Sequence, residues 1–224
     1  MIDLRQVTRL YRGRRGEVRA LDALDLQIGE GEFVAVRGPS GSGKSTLLLT
    51  IGGMIRPTSG TVHVRGQDLY QLGGPQRAHY RAENLGFVFQ MFHLVPYLTV
   101  LENVLLPTQL VRQQGRNPRA QALEVLERLG MATRADHRPA ELSTGERQRT
   151  AIARAMINQP WLLLADEPTG NLDVDTAAQI MMYLREYHQS GRTVIIVTHD
   201  PVIEAQVGRR VQLRAGQIVS PTEA

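Results

Sequence analysis

Four short segments of this chain are apolar at nearly every position rather than at alternate ones: "FVAVRG" from Phe33, "LGFVFQ" from Leu85, "WLLLAD" from Trp161 and "TVIIVTH" from Thr193. Strands with both faces buried in a parallel sheet carry such runs, because neither face meets water. Helical periodicity lies between them. "RAQALEVLERLG" sets Ala122, Val125, Leu126 and Leu129 on one face, with Gly130 placed to cap its end. "DTAAQIMMYLREYHQSG" does the same through Ala177, Ile180, Met181 and Leu184 and stops near Gly191. Strands alternating with helices predict an α/β fold. The opening, "MIDLRQVTRLY" through "LDLQI", and "SGTVHVRGQDL" read instead as antiparallel strands with glycine-rich turns. From Val100 to Asn158 the pattern is helical and carries no strand signal. The expected organisation is a single domain over 1–224, with an α/β core and antiparallel β part from 1–90 and 159–224 and a helical lobe inserted at 91–158.

Composition narrows the function classes. A 42% hydrophobic fraction over 224 residues supports a large core. The longest apolar runs, "TLLLTIGGMI" and "WLLLA", fall short of the roughly 20 residues a spanning helix needs. The N-terminal stretch has no apolar leader segment, so the chain is expected to be soluble and to reach any membrane through a partner. The absence of cysteine excludes disulfides and thiolate metal sites. Arginines group at Arg12 to Arg15 and Arg147 to Arg154, but neither group is interleaved with stacking aromatics, so no nucleic-acid partner is expected.

Each apolar run ends in polar residues, and ligands of parallel α/β sheets bind beyond the carboxyl ends of the strands. Adjacent strands would bring these endings to one edge. After the first run, Gly38 to Ser45 fits G-x-x-x-x-G-K-S/T, with strand before and helix after, which predicts a P-loop. Gly38, Pro39, Ser40, Gly41, Ser42, Gly43, Lys44, Ser45 and Thr46 would then wrap the β- and γ-phosphates of a nucleotide. Lys44 adds a point charge, and Ser45 offers a hydroxyl to Mg²⁺. Asp166 and Glu167 close the third run; successive strand residues face opposite ways, so Asp166 is expected to hold Mg²⁺ through water and Glu167 to face the attacking water as general base. Gln90 would sense the metal and the water, and His199 would donate to the γ-phosphate. Tyr11, in an N-terminal strand, could stack on adenine.

A second phosphate-competent element lies at "ELSTGERQR", Glu141 to Arg149. Ser143 and Glu146 form the S-x-x-E capping box of a helix start. A helix N-terminus reached through small residues also suits an anion. Since the P-loop surrounds one side of the triphosphate, this second start is expected to cover the γ-phosphate of another copy of the chain, in a symmetric dimer where each subunit completes the other's site.

Together these motifs resemble the ATP-binding subunits of ABC transporters over essentially the whole chain. "GPSGSGKST" resembles the family's Walker A, "LLLADE" its Walker B and "LSTGE" its signature loop, while Gln90 falls at the Q-loop, "NLD" at the D-loop and His199 at the switch histidine. The resemblance implies a P-loop NTPase (RecA-like) core with an N-terminal antiparallel β subdomain and an inserted helical subdomain. It implies ATP and Mg²⁺ as ligands, adenine stacking at Tyr11, contact of Ser143 and Gly145 with the partner copy's γ-phosphate, and coupling of the two sites by Asp173. It further implies an integral membrane partner and a cytoplasmic, peripheral position beneath it. "FVFQMFHLVPYLTVLENV", "ERQRTAIARA" and "LADEPTGNLD" are similar to the branch containing lipoprotein-release, macrolide-efflux and cell-division ATPases. The signature usually has glycine where this chain has Thr144, whose added Cβ crowds a loop that must approach phosphate, while Gly145 is retained. The membrane partner is expected beside "MFHLVPYL", at Phe92, Leu94, Pro96 and Tyr97. Two other readings stay open at this level. One is a non-transport ABC ATPase acting on DNA or the translation machinery. The other is a small-molecule kinase, which would give no role to Ser143, Asp173 or His199.

Overall fold

The computed structural model describes residues 1–13, 16–111 and 117–219, so Arg14 and Arg15 of the first arginine group lie outside the described residues. In chain order the elements are β1 (Ile2–Gly13), β2 (Gly16–Ile28), β3 (Phe33–Arg37), α1 (Lys44–Ile51), β4 (Ser59–Val64), β5 (Gln67–Asp68), α2 (Gly74–Asn84), β6 (Leu85–Val88) and α3 (Val100–Leu105). They continue with α4 (Pro118–Arg128), α5 (Thr144–Met156), β7 (Leu162–Asp166), α6 (Val174–Gln189), β8 (Thr193–Val197), α7 (Pro201–Glu204), β9 (Arg209–Arg214) and β10 (Gln217–Ile218). The chain divides into two compact units, Met1–Arg77 with Thr193–Ala224, and Ala78–Arg192. This division places β6, β7 and α6 with the helical segment, whereas the sequence pattern groups them with the core.

In the first unit, β2, β1, β4 and β5 form an antiparallel sheet in that order. The register Ile2↔Ile28 and Ile2↔Val64 lines up buried aliphatics across three strands. A second set runs β10-β9-β3-β8. Here β3 lies parallel to β8, from Phe33↔Val194 to Val36↔Val197, and parallel to β9 on its other side. Val34, Ala35, Val36, Ile195 and Ile196 are all buried, as an apolar run in a parallel sheet requires. Strand β9 has no such run. Its first two residues are arginines satisfied by neighbours: Arg209 Nη1 pairs with Glu32 at 3.1 Å and Arg210 Nε donates to the Glu204 carbonyl at 2.9 Å.

In the second unit β6 and β7 pair in parallel, Leu85↔Leu162 to Val88↔Ala165. Helix α5 packs directly on β6: a Cβ at Gly86 would stand 2.4 Å from the Ala155 carbonyl oxygen, so only glycine fits there. Asn103 of α3, fully buried, ties down the preceding segment by donating to the carbonyls of Val95, Leu98 and Thr99 and accepting from the Val95 amide. Helix α4 opens on an Asn117 cap and buries Ala122, Leu126 and Leu129 as its periodicity predicts, with Val125 only half-buried. Helix α6 buries Ile180, Met181 and Leu184. Helix α2 buries no side chain, which is why no apolar period announces it. Among the described residues no helix is long and apolar enough to cross a membrane.

Candidate functional site

The first unit carries the glycine-rich loop. Beyond β3 the backbone enters the left-handed half of conformational space at Gly38 and Gly43, with φ of 152° and 105°. A Cβ at Gly38 would lie 2.1 Å from the Leu213 carbonyl oxygen, and one at Gly43 would lie 2.1 Å from that of Ala20. The loop is thus wedged between the backbones of β9 and β2, and glycine is required for space as well as for φ. Gly216 N donates to the Ser42 carbonyl at 3.0 Å, fixing the loop from β10's side. Helix α1 then begins at Lys44, and its first amides, including those of Lys44, Ser45 and Thr46, have no acceptor a turn earlier. Lys44 Nζ donates to the carbonyls of Gly38 at 2.8 Å and Pro39 at 3.0 Å. The Ser42 hydroxyl is buried without a protein partner. A buried hydroxyl lacking a partner, outward amides and a lysine over the same loop fit a chain of phosphates.

His199 is exposed and belongs to this unit. Val36 pairs with Val197, and Gly38 and His199 each lie two residues beyond that pair, so both leave neighbouring strands at the same level. Tyr11 sits in β1 opposite Val18 with 36% of its surface exposed. The Arg9 guanidinium carbon lies 4.6 Å from its ring centroid, so one face of the ring is backed by a cation.

The second unit aligns another pair. Val88 is registered with Ala165, and Gln90 and Glu167 each follow two residues later. A Cβ at Gly170 would stand 3.2 Å from Glu167 Oε2 and 3.4 Å from Gln90 Nε2, so the carboxylate and the amide border one spot. Glu167 does not continue the strand alternation expected of it. Strand β7 ends at Asp166, and Glu167 takes a φ of 46°, a left-handed turn that costs a non-glycine residue roughly 1–2 kcal/mol. Its direction is set by that turn rather than by the pleat.

Helix α5 holds both turns, through two residues that sequence reasoning passes over. Gln148 Nε2 donates to the Pro168 carbonyl at 2.6 Å. Arg154 donates to the carbonyls of His93 at 2.5 Å and Phe92 at 2.6 Å, the two residues of the turn after Gln90 whose φ values are 48° and 58°. Burial lowers the Arg154 pKa, and its acceptors are peptide oxygens. The available signal is the presence of long polar side chains on the helix face that also buries Ala151, Ile152 and Ala155.

At the start of α5 the expected capping box is formed: Ser143 Oγ accepts from Glu146 N at 3.2 Å, and Glu146 Oε2 accepts from Ser143 N at 2.8 Å. A Cβ at Gly145 would lie 2.7 Å from Thr176 Cγ2 of α6, so any larger residue there must push the Thr176 side chain aside. Asp173 caps α6, accepting from Thr176 N at 2.9 Å and from Thr176 Oγ1 at 2.7 Å, and those bonds hold its carboxyl below the usual range. Ser45, Gln90 and Asp166 offer oxygen donors, the kind a hard dication such as Mg²⁺ takes. Among the described residues no three His, Cys, Asp or Glu side chains gather as a cage.

The family model described as ABC transporter matches residues 21–170. The ABC transporter ATP-binding protein YvrO of Bacillus subtilis is 43% identical over 98% of this chain and 96% of its own. The lipoprotein-releasing system ATP-binding protein LolD of Shewanella oneidensis is 42% identical over 100% and 98%. The macrolide export ATP-binding/permease protein MacB 1/2 of Paracoccus denitrificans is 44% identical over 98% of this chain, which spans 33% of that protein. Among solved structures, a dimeric ATP-binding cassette in a post-hydrolysis state, bound to ADP and Pi, superposes with a TM-score of 0.94 at 39% identity, covering 100% of this chain and 98% of that one.

Proposed function

This chain belongs to the ABC transporter family as an ATP-binding and ATP-hydrolysing cassette, and from that premise we propose that two copies close around two Mg-ATP and drive a separate membrane subunit. In this reading Lys44 and the amides from Gly38 to Thr46 hold the β- and γ-phosphates, and Tyr11 stacks on adenine by the ring face opposite Arg9. Ser45, Gln90 and Asp166 would hold Mg²⁺, Asp166 through water, and the ion would supply charge neutralisation on the phosphate oxygens. Glu167 accepts the proton of the attacking water while Gln90 orients that water. The water oxygen bonds to the γ-phosphorus, the bond to the β–γ bridging oxygen breaks, and ADP carries the electron pair away. His199 and the partner copy's start of α5 donate to the γ-phosphate. Phosphoryl transfer of this kind needs positioning and charge stabilisation more than covalent participation.

The observation that carries the reading is the shared border at Gly170, where the Glu167 carboxylate and the Gln90 amide face one spot two residues past paired strands. The name of LolD points to release of lipoproteins and that of MacB to export. Export, lipoprotein release or mechanical coupling across a membrane is accordingly the proposed task, from a cytoplasmic position beneath the membrane partner. The test is Glu167→Gln, measured by sedimentation and phosphate release. The variant is expected to bind Mg-ATP, hydrolyse it at least about a hundredfold more slowly, and accumulate as a dimer. A variant that stays monomeric at saturating Mg-ATP overturns the scheme.

A further inference from the structure

Glu146 lies near the start of α5 with only 16% of its side chain exposed, and both carboxylate oxygens are taken. Oε2 accepts from Ser143 N at 2.8 Å, and Oε1 accepts from Arg134 Nε at 2.8 Å. Ser143 Oγ accepts in return from Glu146 N, which uses a lone pair and leaves the hydroxyl proton to donate elsewhere. Arg134 closes the short 3₁₀ turn Ala132–Arg134. Its amide donates to the Met131 carbonyl at 3.0 Å and its carbonyl accepts from His137 N at 2.9 Å, so its guanidinium is delivered from a fixed backbone. Nη1 also lies 3.3 Å from His137 Nε2. The Ser143 amide first, and Arg134 after it, keep the Glu146 carboxyl below its usual range, so it is ionised at neutral pH.

An ionised carboxylate suits a helix N-terminus but opposes a second anion brought to the same place. The proposed function brings one there. We infer that Arg134 is a positioning residue for the subunit contact: it clamps Glu146 onto the Ser143 amide and cancels its charge, so that Ser143 and Gly145 can meet the terminal phosphate of a nucleotide held by a second copy of this chain. The inference rests on the dimer reading above. It assigns a task to a residue outside the recognised motifs, and it makes that task depend on the acidic identity of position 146. A neutral glutamine there would keep the capping box and need no counter-charge.

The experiment is a double-mutant cycle on the full chain in the Glu167→Gln background, reading the Mg-ATP concentration for half-maximal dimerisation, with fluorescent-nucleotide binding to the monomer and thermal unfolding alongside. Arg134→Ala is expected to raise that concentration about tenfold, the scale of one uncompensated charge near a phosphate, while monomer binding is unchanged. Arg134→Lys recovers most of the loss. Glu146→Gln stays within about twofold of the parent, and adding Arg134→Ala to it costs less than about twofold more. Higher ionic strength narrows the Arg134→Ala deficit. Arg134→Ala matching the parent, or remaining about tenfold impaired when residue 146 is neutral, overturns the inference. The second result would mark Arg134 as a fold residue. A parent that never dimerises with Mg-ATP brings down the dimer reading itself, and this inference with it.

Discussion

The side-chain amide of Gln148 donates to the carbonyl of Pro168 at 2.6 Å, tying α5 to the turn that follows Glu167. Gln148 is 1% exposed and its Oε1 is buried without a partner. The residue therefore keeps a destabilising polar group in the interior for the sake of one bond. Replacement by leucine should leave the Pro168 carbonyl unsatisfied, at about 1–3 kcal/mol. It should also free the Glu167 turn. The expected result is an ATPase rate down roughly tenfold or more with nucleotide affinity nearly unchanged, since the loop from Gly38 to Thr46 is untouched. Steady-state kinetics with a nucleotide-binding titration check it.

Alanine at three loop glycines separates space from backbone preference. At Gly41, φ is 76° but a Cβ placed there would meet nothing within 4 Å, so Gly41→Ala incurs only the left-handed penalty of about 1–2 kcal/mol and should still bind ATP. At Gly38 and Gly43 the same substitution drives a carbon to 2.1 Å from a backbone oxygen. Those variants should lose ATP binding and unfold at clearly lower denaturant, which calorimetric titration and urea unfolding would measure.

Acid stability should carry the signature of Glu30. The Arg65 guanidinium, bidentate at 3.1 and 2.8 Å, and after it the N-terminal ammonium of Met1 at 3.0 Å depress the Glu30 carboxyl from the ordinary 4.5 to about 2. A carboxyl depressed in the folded state stabilises above its unfolded pKa, and that stabilisation is lost as pH falls from about 4.5 towards about 2. Both side chains are about half exposed, so water screens the pair and its net contribution stays at or below about 1 kcal/mol. Glu30→Gln should flatten the stability curve in that window and change little at neutral pH; urea unfolding at a series of pH values reads both.

The turn after Gln90 presents Met91 and Tyr97 at 70% and 73% exposure, with Leu106 and Leu110 also exposed. Large apolar side chains so placed suit a protein partner. Changing Met91 and Tyr97 to serine should abolish stimulation by the membrane subunit and leave basal hydrolysis within about twofold, because neither side chain is held in the core. Equal loss of both activities would assign the pair to packing instead.

Much of this architecture is legible in the residues alone. The four apolar runs are β3, β6, β7 and β8, because burial on both faces leaves a mark that side-chain chemistry alone carries. The glycine-rich loop is legible because its glycines and its lysine follow a fixed local spacing, and the Ser143 cap because it is local too. Strand β9 escapes because its two leading arginines are balanced by Glu32 and by the Glu204 carbonyl, the first of them far away in sequence. Gln148 and Arg154 escape for a similar reason: each answers a peptide carbonyl in a far segment, and carbonyls have no letter in a sequence. The left-handed turn at Glu167 is a property of the backbone that no residue type there announces.

Lys44 spans the carbonyls of Gly38 and Pro39 within its own loop. The residue that opens α1 therefore closes the loop that leads into it, joining two peptide oxygens at the loop's beginning to the cation at its end. Methionine at position 44 would undo that closure as well as remove the charge, so the shape of the loop and its electrostatics change together.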